Sequence, residues 1–86
     1  MAVNKLGIDC ETKGKGELIR RLRALKTTIA VEDRGAYHQD PSESQVAIDT
    51  HLTEDELDNW LWRTKVPCDY TGTFERKDDF LTEQRG

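Results

Sequence analysis

The sequence predicts an α+β domain in which an antiparallel sheet is covered by two helices. Three observations carry this expectation. Four stretches alternate apolar and polar residues with period two, and one stretch places apolar residues at helical spacing. A further segment, residues 52–62, carries a complete helix-start signature before its own apolar stripe.

In chain order, Leu6, Ile8 and Cys10 alternate with Gly7 and Asp9 as a short first strand. Residues 12–16, Thr-Lys-Gly-Lys-Gly, read as a flexible loop punctuated by two glycines. From Glu17 to Lys26, Leu18, Ile19, Leu22 and Leu25 form one helical stripe, with Arg20, Arg21 and Arg23 off it. Residues 28–33 alternate around Ile29 and Val31, and residues 45–49 around Val46 and Ile48. Residues 34–44 hold Gly35 and Asp40-Pro41, so the hairpin between these strands has a long loop. A second helix runs from Glu54 to about Arg63 and is stopped by Pro67. Val66, Cys68, Tyr70, Gly72 and Phe74 then share one parity in the longest alternation, with Gly72 marking a bulge or a close backbone approach. The resulting β-α-β-β-α-β order is that of a ferredoxin-like antiparallel sheet with both helices on one face. It makes the first and last strands antiparallel neighbours and brings Cys10 toward Cys68. If the weak first strand is lost, the alternative is a three-stranded antiparallel sheet with two helices.

Eighty-six residues with 35% apolar and 35% charged side chains give a single domain with a thin core. Residues 1–76 form the expected compact domain, and residues 77–86 a charged, frayed tail anchored only by Phe80 and Leu81. No apolar run approaches the ~20 residues of a membrane span. No segment resembles a signal peptide, Ala2 excludes N-myristoylation, and two cysteines suit a reducing cytoplasm as free thiols. The net charge of −4 is unevenly distributed: residues 1–31 carry +4, residues 32–63 carry −7 and residues 64–86 carry −1. An acidic middle repels phosphate backbones and attracts basic protein surfaces.

Residues 8–14, Ile-Asp-Cys-Glu-Thr-Lys-Gly, resemble the first metal-binding motif of DnaQ-type exonucleases. The resemblance implies Asp9 and Glu11 as ligands of paired Mg²⁺ ions for phosphodiester cleavage. Against it, that family follows the motif with a strand, whereas a helix is expected here, and Asp33, Asp40 and Asp49 complete no later motif. Cys10, His38, His51 and Cys68 match no zinc spacing. No cofactor or metal is therefore expected, nor nucleophilic catalysis by either cysteine. Lys13-Gly14-Lys15-Gly16 lacks phosphate-loop spacing, but Lys13, Lys15, Arg20, Arg21 and Arg23 compose a basic patch that can contact nucleic acid. The alternative is a solvated basic helix face.

In the second helix Thr53 and Glu56 have capping-box spacing, and Leu52 and Leu57 form a hydrophobic staple. This register puts Leu57, Trp60 and Leu61 on the core face and turns Trp62 about 140° from Leu57. Glu54, Asp55, Glu56 and Asp58 with Trp62 then form a candidate acidic docking ridge. The alternative for Trp62 is packing over the sheet edge or beneath the tail near Phe80.

Asp49 to Trp62 resembles the strand-to-helix segment of small type I-F anti-CRISPR proteins, where a strand passes through Asp into a capped helix closed by aromatic and aliphatic residues. That resemblance implies a phage-encoded inhibitor that binds a CRISPR surveillance complex in the bacterial cytoplasm and blocks DNA access. The expectation is a non-enzymatic inhibitor or adaptor, monomeric or homodimeric, whose partner is a larger protein or ribonucleoprotein with a basic surface. Membrane association and direct nucleic-acid binding are not expected. A nucleic-acid-binding domain and a metal-dependent nuclease are the alternatives.

Overall fold

A computed structural model describes residues 2–65 and 70–77. Its elements are β1 (Asn4–Glu11), a 3-10 turn (Thr12–Gly14), α1 (Lys15–Ala24), β2 (Thr28–Ala36), β3 (Glu43–Thr50), α2 (Glu54–Thr64) and β4 (Tyr70–Glu75). The strands form one antiparallel sheet in the order β2-β3-β1-β4. The short first strand of the sequence is central, pairing with β3 on one side and β4 on the other. That excludes a three-stranded sheet.

Leu6, Ile8 and Cys10 of β1 join Val46 and Ile48 of β3, Leu18, Ile19 and Leu22 of α1, and Leu57 and Leu61 of α2 in one buried cluster. These strand residues share one parity, so both helices cover the same face of the sheet. Cys10 is fully buried as part of this core.

Residues 12–16 are ordered rather than a flexible loop. The 3-10 turn runs directly into α1, with Gly14 buried at the helix start and Gly16 inside the helix. Thr12 fixes the turn: its N–H donates to Ser42 O at 2.8 Å, and its hydroxyl shares a hydrogen bond with the buried Ser44 hydroxyl at 2.7 Å. Local glycine content is a poor guide here because the contacts that order the segment come from 29 to 32 residues away. The β2–β3 connection is likewise shorter than expected, spanning residues 37–42, because β2 continues to Ala36. It does so through a bulge at Gly35, whose φ of 88° favours glycine and whose N–H donates to Asp33 Oδ1 at 2.8 Å.

The last strand does not keep the single parity expected of it. Its register with β1 slips between Asp9, opposite Gly72, and Cys10, opposite Tyr70. The extra residue is Thr71, next to the Gly72 at which a bulge or close approach was expected, and the shift sends Tyr70 toward the core and Phe74 to the helix-free face. There Phe74 lies over Gly7, where any Cβ would overlap its ring. Beyond the strand, the buried Arg76 pairs with buried Asp49 of β3, and its N–H donates to Lys5 O at 2.8 Å. Val66, Pro67, Cys68 and the tail after Lys77 lie outside the described residues, as does the expected Cys10–Cys68 proximity.

Candidate functional site: an acidic helix flank with an outward tryptophan

The second helix begins as its residues dictate. Glu56 N–H donates to Thr53 Oγ1 at 3.2 Å, and Thr53 N–H donates to Glu56 Oε1 at 2.9 Å. Leu52 packs on the core beside the buried Leu57 and completes the staple. At the other end Lys65 turns the chain with φ 50°, while Arg21 Nη1 reaches over from α1 to Thr64 O at 3.0 Å. A cation at a helix C-terminus satisfies an orphan carbonyl and opposes the dipole.

Leu57 and Leu61 face the core, Trp60 is half-buried against it, and Trp62 is 72% exposed. Trp62 therefore does not pack over the sheet edge, and Phe80 lies outside the described residues. Glu54, Asp55 and Glu56 are exposed, and Glu54 and Asp55 take part in no ion pair among the described residues.

The four acids are not equivalent. Asp58 is half-buried and accepts a hydrogen bond from the Tyr70 phenol at 3.1 Å. Burial first, and that bond second, push the Tyr70 pKa upward. Asp58 thus ties α2 to β4 as well as flanking Trp62. At 100° per residue Asp55 and Asp58 share Trp62's flank, whereas Glu56 lies roughly 120° round the helix. The ridge is narrower than the sequence suggested, with Glu56 displaced to a groove on the far flank.

That groove, about 660 Å³, opens between the α1–β2 connection and α2. Leu25, Leu52, Trp60 and Trp62 give it an apolar lining, with Glu56 and Arg63 among its polar groups. Its wall is held by Thr27, whose carbonyl accepts from His51 N–H at 2.9 Å and from the Thr50 hydroxyl at 3.0 Å. Sequence reasoning missed the groove because Leu25 and Leu52 lie 27 residues apart.

The basic patch is largely engaged at home. Lys15 pairs with Asp33 at 3.2 Å, Lys13 approaches Glu11 at 3.9 Å, and Arg20 and Arg21 both bind Glu17. Those two guanidinium groups, Arg20 foremost, hold the Glu17 carboxyl down at about 2. Arg23 is exposed.

Asp9 and Glu11 lie two apart on β1, on the sheet face away from the helices. Asp9 accepts a hydrogen bond from the Tyr37 phenol, which also accepts from Gln45 Nε2 at 3.2 Å. Desolvation first, then the Asp9 contact, push the Tyr37 pKa up to about 12. Tyr37 fell within the expected loop, so nothing in the sequence signalled this network. His38 is exposed, and His51 Nδ1 lies 3.0 Å from Ala2 O. Among the described residues no group of three or more His, Cys, Asp or Glu is arranged to hold a metal ion.

Comparison with known proteins finds no matching family model, no matching curated relative and no matching solved structure.

Proposed function

We propose that this chain is a non-enzymatic inhibitor or adaptor that docks through the exposed flank of α2 onto a larger protein or ribonucleoprotein and occludes a basic, nucleic-acid-binding surface. The observation that carries this reading is Trp62, an indole left 72% exposed on a helix whose first turn bears Glu54, Asp55 and Glu56. Exposed tryptophan adds little to monomer stability and is strongly enriched among interface anchors. The surrounding carboxylates favour a cationic partner surface and speed encounter with it.

The resemblance of residues 49–62 to type I-F anti-CRISPR proteins makes a CRISPR surveillance complex the candidate target and the bacterial cytoplasm the setting. The sheet order β2-β3-β1-β4, with helices bridging β1 to β2 and β3 to β4, supports a ferredoxin-like fold. Direct nucleic-acid binding is the weaker reading. Lys13, Lys15, Arg20 and Arg21 sit beside carboxylates, and the central strands place Asp9, Glu11, Glu43 and Asp49 on the helix-free face, where negative charge repels a phosphate backbone. A nuclease centred on Asp9 and Glu11 gains no support from the tyrosine that binds Asp9.

Target-DNA binding by a type I-F surveillance complex, measured by mobility shift, tests the proposal. The wild-type chain is expected to lower the bound fraction, and a Glu54→Gln, Asp55→Asn double variant to do so less well, most visibly at low salt. Undiminished DNA binding at saturating protein would refute the reading.

A further inference from the structure

Resting on the reading of α2 as the docking element, we infer that the groove beside it receives an arginine side chain of the partner. Its apolar lining includes two indoles in different states. Trp60 is held against the core and Trp62 stands free. A flat guanidinium can stack on an indole while donating hydrogen bonds to a carboxylate at its edge. Glu56 supplies that carboxylate from the helix start, since its Oε1 serves Thr53 and its Oε2 has no partner among the described residues.

Charge selects among occupants. Glu54 and Asp55 stand in the same first turn of α2 as this carboxylate. A second copy docking by the same face would set those acids against themselves, and a phosphate backbone would meet the same repulsion. Arg63 lines the same groove with its Nε folded back to Asn59 O at 3.4 Å, so a second cation is favoured only at the Glu56 end. The wall facing α2 is preformed by the Thr27–His51 and Thr27–Thr50 hydrogen bonds, so seating the ligand requires no ordering of that wall.

The test uses the full chain and two amidated probes, Gly-Arg-Gly-Arg-Gly and its lysine counterpart, at low salt. Indole N–H resonances report the groove, and titration reports affinity. The arginine peptide is expected to shift both indole signals and to bind about three- to tenfold tighter than the lysine peptide. Trp62→Ala should abolish that preference with the fold intact by circular dichroism, and Arg63→Gln should strengthen arginine-peptide binding. Glu54→Gln with Asp55→Asn should weaken both peptides equally. If both peptides bind alike and the indoles do not move, the groove assignment fails while the acidic docking face survives. If neither peptide binds, both readings fail. Concentration-dependent dimerisation lost in Trp62→Ala would instead assign the groove to a second copy and overturn the inference.

Discussion

Thr53 shows how a single side chain sets a register. Its capping box fixes where α2 starts, and the start fixes which way every later residue points. Thr53→Ala is expected to destabilise the fold by about 1 kcal/mol in chemical denaturation. Gly7 reports a contact that no local pattern reveals, because its neighbour Phe74 is 67 residues away and its parity is set by a bulge. Gly7→Ala is expected to cost about 1–3 kcal/mol, with part recovered when Phe74 is also reduced to Leu, as a double-mutant cycle would show. Glu17 carries the clearest pH dependence. Its folded pKa of about 2 lies below the ordinary 4.5, so its contribution to stability is present above pH 4.5 and is lost as pH falls toward 2. Glu17→Gln should flatten the acid limb of the stability–pH profile over that window, and an unchanged limb would contradict the assignment.

At the level of elements, periodicity located both helices and all four strands; in β1, β3 and the helices a buried face writes its period into the residues, whereas in β2 a register shift leaves Ile29 exposed and only Val31 packed on the core. What periodicity did not show is where a strand changes face. The β4 bulge inverts Phe74 relative to Tyr70, and the pairing that forces it belongs to β1. The ordering of Thr12–Gly14 by Ser42 and Ser44 was hidden for the same reason. For α2 the register placed Trp62 outside the core but could not reveal that Asp58 holds Tyr70. The helix therefore separates into parts with different mutational signatures. Trp62→Ala should leave unfolding stability within about 0.5 kcal/mol of wild type, as expected of an exposed side chain. Asp58→Ala should destabilise by about 1 kcal/mol through the lost Tyr70 bond, whatever it does to binding. Both values are accessible from urea titrations of the unliganded protein.

Across the whole molecule the charge division seen along the sequence becomes a spatial one. Lys13, Lys15, Arg20 and Arg21 lie beside local carboxylates while Arg23 is exposed, whereas Glu54 and Asp55 form no ion pair among the described residues. Charge paired within the fold steers a partner less than unpaired charge does, which favours the acidic flank for encounter. The core that supports this face is small, with ten of the described residues in one buried cluster. It leaves little margin for truncations such as Leu22→Ala, which should cost about 2–5 kcal/mol. The central claim is that the outward indole of α2 is the anchor. The most direct measurement is competition between this protein and target DNA for a type I-F surveillance complex, with wild type and Trp62→Ala titrated side by side. The account predicts displacement of DNA by the wild type and a loss of at least about tenfold in potency for Trp62→Ala, the size expected of a buried hot spot. Equal potency of the two proteins would contradict it.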